Sequence, residues 1–215
     1  MKRIAKIPYI PALESLSAEQ LRQVLIAQGA ELQVDSNNWA AEWPYSPAVV
    51  ARVAYCGSHI AVMFDVEEEH TKAVEMQSNG RVWEDSCVEF FVANPIGEGY
   101  YNFELNAIGT LLAAYRLSRE NATHFDEQTL SKIVRYGSFD HAPIDITEGA
   151  KWWAAELIPF ELFGVNTPPR SLRANLYKCG DNLRRPHFLS WSPITLDKPN
   201  FHCPDYFGEL TFDYE

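Results

Sequence analysis

The chain has 215 residues, 47% of them hydrophobic and 22% charged, a balance that fits one folded domain and excludes disorder, collagen and low-complexity repeats. A formal net charge of -11 and a pI near 5.0 oppose binding to a phosphate backbone or an anionic membrane. Aromatic residues reach 13%, with 6 Trp, 10 Tyr and 12 Phe, so rings are available for a ligand as well as a core.

At the N-terminus, Lys2, Arg3 and Lys6 imitate the basic start of an export signal, but Pro8, Pro11 and Glu14 interrupt the apolar run. No stretch approaches the roughly 18 apolar residues of a membrane span. A cytoplasmic location is therefore expected. Cys56, Cys87, Cys179 and Cys203 form no Cys-x-x-Cys pair and are expected to be reduced thiols.

Residues 1–30 read as an N-terminal extension with one helix, and residues 31–215 as a β-rich unit. Ser17 and Gln20 make a capping box, Leu21, Val24 and Leu25 an apolar stripe, and Gly29 a stop, predicting a helix over Ser17 to Gln28 that covers part of a sheet. From Glu31 onward the helical period gives way to short β-like runs between Pro, Gly, Asn and Asp. The predicted strands are Val49 to Tyr55, Ile60 to Val66, Val88 to Val92, Tyr101 to Ala107, Leu111 to Arg116, Ile133 to Tyr136, Trp153 to Ile158, Leu172 to Tyr177 and Phe207 to Phe212. Short strands with a single good helix predict an all-β fold, an antiparallel two-sheet β-sandwich with an N-terminal helix.

The segment from Tyr101 to Ala107 alternates strictly: Tyr101, Phe103 and Leu105 point inward, while Asn102, Glu104 and Asn106 share the other face. In the preceding run Val88, Phe90 and Val92 share one face and Glu89 takes the opposite one. The turn-rich stretch Asn94 to Gly99 joins the two as a hairpin, bringing Glu89 opposite or diagonal to Glu104. Two carboxylates and two amides are then expected together on an outward sheet face. Such groups, beside an aromatic ring, suit sugar hydroxyls and the C–H face of a pyranose. Trp83 could supply the ring, provided the chain folds back over the roughly 20 Å that six extended residues would span.

The segment Trp83 to Val92, the run Tyr101 to Asn106, Trp152 to Phe160 with its Ile-Pro ending, and the tail from Ser190 to Pro193 through Phe201 to Leu210 resemble the family 9 carbohydrate-binding modules. The resemblance runs from about Glu31 to the C-terminus. It implies a β-sandwich that holds a sugar, without catalysis, between two stacked aromatic side chains. Trp83 matches the first ring and Glu89 a sugar-binding carboxylate. Asn200 and Asn106 join the expected ligand-binding set. Phe201 stands where the family has a second tryptophan, and Glu104 where well-known members carry a sugar-binding arginine. The implied partners are a carbohydrate and a glycan-processing enzyme, with no nucleic acid or membrane. No cofactor is implied beyond calcium, which some members bind.

Competing readings attach to particular residues. Asp65, Glu67, Glu68 and Glu69 offer oxygen ligands but lack a calcium-loop spacing and read as a solvated acidic loop. Cys179, His187, His202 and Cys203 offer zinc ligands without finger spacing, and Met63 or Met76 with a histidine offers haem ligation. Glu89 and Glu104 could also serve as a glycosidase pair. Against that, an outer sheet face would lack the burial that raises one carboxyl's pKa to make a general acid. Trp191 reads as core, and Trp152 and Trp153 must face opposite ways.

Overall fold

The computed structural model describes residues 1–212, and the last residues of the expected 31–215 unit lie outside that range. The first half of the chain forms β1 (Ile4–Ile7), α1 (Ala18–Gln28), β2 (Ala30–Gln33), β3 (Ser36–Asn37), β4 (Ala48–Tyr55), β5 (His59–Glu68), β6 (Thr71–Ala73), β7 (Cys87–Ala93) and β8 (Tyr100–Asn106). The second half adds β9 (Leu111–Arg116), β10 (Ala122–His124), α2 (Glu127–Leu130), β11 (Val134–Gly137), β12 (Ile144–Ile146), β13 (Ala150–Pro159), β14 (Ser171–Cys179), β15 (Phe188–Ser190) and β16 (Gly208–Phe212). Every segment with a strand pattern is a strand.

A large sheet runs β1-β16-β14-β7-β8-β9-β10, with β15 paired to β14 and β3 to β15. A second sheet runs β11-β13-β5-β4-β2, and β6 pairs separately with β12. Among the named strands pairing is antiparallel except between β1 and β16, which ties the N-terminal extension into the large sheet. Val88, Phe90, Val92, Phe103 and Leu105 from one sheet meet Val49, Val53, Val62, Phe64 and Val66 from the other in a shared apolar core. The fold is a β-sandwich. Trp191 and Trp152 lie in this core, whereas Trp153 faces the other way, with the Arg22 guanidinium 5.5 Å from its ring centre.

The helix covers the outer face of the second sheet. Leu21 and Leu25 bury against Ala54, Ala61, Met63, Ala155 and Leu157. Its capping box forms as the sequence implies: Gln20 N donates to Ser17 Oγ and Ser17 N to Gln20 Oε1. Gly29 keeps an ordinary φ of -67°, and its role is spatial, because a Cβ there would lie 2.7 Å from the Leu25 carbonyl oxygen. Gly99 differs: it closes the β7–β8 turn at φ +80°, a conformation glycine adopts without strain.

Buried ionisable side chains mark the interior. Lys178 on β14 crosses to β5, its Nζ 2.8 Å from Glu68 Oε2, and also donates to Cys179 O and His187 Nε2. Trp152 Nε1 donates to the other Glu68 oxygen at 2.8 Å, so the pair bridges the sheets within a hydrogen-bonded cage. Glu156 on β13 shares the core-facing parity of Trp152, Ala154 and Ile158, and its Oε1 has no hydrogen-bond partner.

Burial pushes the Glu156 carboxyl up to about 8, opposed by Arg135 on the neighbouring strand. The folded chain thus keeps a proton that the unfolded chain releases near pH 4.5, and stability falls as pH rises from there through about 8. Glu156→Gln should therefore raise the melting temperature over wild type more at pH 8 than at pH 5. Equal differences at both pH values would show that the Glu156 carboxyl does not carry this penalty.

Candidate functional site

The hairpin has the expected register, with Glu89 directly opposite Glu104 and Phe91 opposite Asn102. The face they share is not outward. Glu89, Asn102, Glu104 and Asn106 are all buried, because aperiodic segments roof the large sheet and pack Trp39, Val82, Ile194, Phe201 and Phe207 against Phe91, Tyr100 and Tyr177. The roof is incomplete. A cavity of about 260 Å³ remains, lined by Trp83, Glu89, Glu104, Arg116, Arg119, Cys179, Asp181, Phe188, Pro199, Asn200, Phe201 and His202.

Trp83 reaches this cavity because Val82–Glu84 forms a single 3-10 turn that folds back over the sheet. Val82 is fully buried, and Asp85 Oδ2 accepts from Val74 N, Glu75 N and Asn106 Nδ2. The Trp83 carbonyl accepts from Asp181 N at 3.1 Å, which ties the turn to the segment after β14. On the other side, Phe201 stacks on Tyr177 with ring centres 4.1 Å apart and planes within 7°, and Tyr177 Oη donates to Phe201 O. Asn200 Oδ1 accepts from His202 N, which fixes the loop beside it.

The polar wall consists of two hydrogen-bonded groups. Arg116 Nε donates to Asn102 Oδ1 at 2.8 Å, and Asn102 Nδ2 donates to Glu104 Oε1 at 2.9 Å. Cys179 Sγ lies 3.1 Å from Glu89 Oε1. Burial pushes Glu104 up to about 7, restrained by Arg116 and by the Asn102 hydrogen bond. Burial, then the neighbouring Glu104, drive Glu89 well above the usual carboxylate range. One wall therefore combines two carboxyls held above the usual carboxylate range with a guanidinium, which together donate and accept hydrogen bonds. The burial argument against a general acid fails here, since the roof supplies the desolvation that an open sheet face would lack. His202 is held neutral, lowered to about 3 by burial and by Arg116 and Arg119, and its Nδ1 lies 2.9 Å from Tyr100 Oη.

Of the residues singled out from the sequence, Trp83, Glu89, Glu104, Asn200 and Phe201 converge on the cavity. Asn106 does not. It donates to Glu75 O and Asp85 Oδ2 and accepts from Thr110 N, so it braces the turn that carries Trp83. The acidic run is not a solvated loop: Asp65, Glu67 and Glu68 belong to β5. Each carboxylate also has its own cation, Arg52 for Asp65, Lys151 for Glu67, Lys178 for Glu68 and Arg185 for Glu69. Among the described residues, Cys179, His187, His202 and Cys203 form no common ligand cluster. Met63 packs under α1, and Met76 is exposed.

Arg116, Arg119, Asp181 and Phe188 escaped the sequence reading, and Cys179 and His202, singled out there only as zinc candidates, also line the cavity. Arg116 was within reach of it, because Leu112, Ala114 and Arg116 alternate on β9 and pair with Glu104, Asn102 and Tyr100 on the cavity face. It places a guanidinium beside Glu104, where the resemblance implied an arginine at position 104 itself. Arg119 and Asp181 come from a bend and a turn without period, and Phe188 opens the three-residue strand β15, too short to show one.

The comparisons agree with this architecture. The model of carbohydrate-binding family 9 matches residues 19–212. A Bacteroides uniformis protein whose name proposes carbohydrate binding is 35% identical, with a TM-score of 0.93 over 99% of this chain and 100% of that one. A family 9 carbohydrate-binding module from Caldicellulosiruptor kristjanssonii, solved with cellotriose, shares the fold at 8% identity, with a TM-score of 0.65 over 99% of this chain and 95% of that one. With glucose, a module from the same organism gives 0.64 at 8% identity, over 99% and 97%. No curated protein matches the chain. With the family model matching nearly the whole sequence, the chain belongs to carbohydrate-binding family 9.

Proposed function

We propose that this chain is a non-catalytic module that holds one sugar ring in the cavity between Trp83 and Phe201. The observation that carries the reading is the convergence of an indole and a phenyl ring with Glu89, Glu104, Arg116 and Asn200 around about 260 Å³. That volume is somewhat below the roughly 300 to 1,000 Å³ typical of small-molecule sites and suits a small polar ring. Stacking needs a planar apolar face, and hydroxyls need both donors and acceptors; the lining supplies each. Family membership, and structural neighbours solved with glucose and cellotriose, support a sugar as the ligand.

Tryptophan fluorescence during titration with mono- and disaccharides, glucose and cellobiose first, tests the reading. A saturable change with at least one sugar is expected. A flat response across the panel, confirmed by calorimetry, would refute it.

The raised carboxyls of Glu89 and Glu104 favour a second reading, glycoside hydrolysis, in which a protonated acid and an ionised partner flank the scissile bond. The two readings separate cleanly. For a binding module, Glu89→Gln and Glu104→Gln should change affinity severalfold with no product released by any form. Product from wild type that disappears in both variants would replace binding with catalysis.

A further inference from the structure

Cys87 and Glu89 are two residues apart on β7 and so share a face, while Cys179 on β14 is the direct cross-strand partner of Cys87. The two sulfurs and a Glu89 carboxylate oxygen all lie within 4.8 Å of one another. All three side chains are buried, yet Glu89 and Cys179 also line the cavity floor. The thiols bond to each other, Cys179 contacts the Glu89 carboxylate at 3.1 Å and Trp83 O at 3.6 Å, and Cys87 contacts Val88 O at 3.7 Å. Glu14, Cys56 and His59 form a second such group, but it is partly open to solvent. There His59 Nδ1 is paired with Ser58 Oγ at 2.8 Å.

We propose that Cys87, Glu89 and Cys179 form a binding site for a thiophilic divalent cation of the zinc class, with its fourth position open to the cavity. Tetrahedral zinc, with bonds of about 2.3 Å to sulfur and about 2.0 Å to oxygen, brings its ligand atoms to roughly 3.5 to 3.8 Å from one another. Cys179 Sγ, 3.1 Å from Glu89 Oε1, would move out by about 0.4 Å to reach this geometry, and the other pairs start within 4.8 Å. Two thiols select a soft or borderline ion over calcium or magnesium, which prefer all-oxygen sites. Binding exchanges the two S–H bonds and the Glu89 O–H bond for two S–metal bonds and one O–metal bond, and three protons pass to solvent. Arg116 and Arg119 at the cavity help to balance the added negative charge of the thiolates. The proposal does not depend on sugar binding.

Cobalt(II) chloride is the probe, added to the intact, reduced chain after treatment with a chelator. About one cobalt per chain is expected, with a thiolate-to-cobalt charge-transfer band and the intense visible bands of a tetrahedral site, both displaced by zinc chloride. Cys87→Ser and Cys179→Ser should each weaken binding at least about tenfold, while Cys56→Ser should leave it unchanged. Because a cavity-floor substitution can unfold the chain, Glu89→Asp provides a milder variant, expected to shift the visible bands while the charge-transfer band persists. Cobalt without charge transfer, loss of binding in Cys56→Ser alone, or a Cys87–Cys179 disulfide in place of two free thiols under reducing conditions would each overturn the assignment.

Discussion

Trp83→Ala is expected to weaken sugar binding by about 2 kcal/mol or more, roughly 30-fold in Kd, while leaving the sandwich folded. The indole borders the cavity from a single 3-10 turn whose position is fixed by Val82 and Asp85, so removing the ring deletes stacking area and leaves the scaffold intact. Phe201 is a poorer target. Its ring is stacked on Tyr177 and lies near Trp39 and Phe188, so truncation would damage packing along with any contact to a sugar. Calorimetric titration of wild type and Trp83→Ala, with unfolding curves for both, checks the expectation. Unchanged affinity in a folded Trp83→Ala would remove the indole from the site.

The largest effect on stability is expected from Lys178→Met. Lys178 and Glu68 are fully buried and bridge the sheets at 2.8 Å, so removing the amine leaves a carboxylate without its counter-charge among Trp152 and neighbouring apolar groups. Breaking a buried pair from one side costs about 3 to 5 kcal/mol, whereas removing both charges costs far less. Urea unfolding should therefore show a large loss in Lys178→Met and a substantial recovery in the double variant Lys178→Met, Glu68→Gln. A double variant as unstable as the single one would mean that the damage lies in lost packing and not in the orphaned charge.

The strands and the key hairpin were legible because alternation reports parity directly. Tyr101, Phe103 and Leu105 announce one face of β8, and that parity with a turn-rich connection sets Glu89 against Glu104. Alternation cannot say whether the second face meets water or a roof. That was decided by long aperiodic segments carrying Trp39, Phe201 and Phe207, and their closure turned an apparent surface into a buried cavity wall. The same limit explains Asn106, whose parity matched the site but whose partners, Asp85 and Glu75, lie across a loop. β1 was missed because Ile4 and Lys6 are exposed at a sheet edge, and its parallel pairing with β16 joins opposite ends of the chain.

A crystal structure of the chain with whichever sugar saturates its fluorescence tests the central claim most directly. The account predicts a sugar ring against the Trp83 indole, with hydroxyls within hydrogen-bond distance of Glu104 or Arg116 and of Asn200. A sugar bound on the opposite sheet, for example over Trp153 beside Arg22, with the Trp83 cavity holding only water, would contradict it.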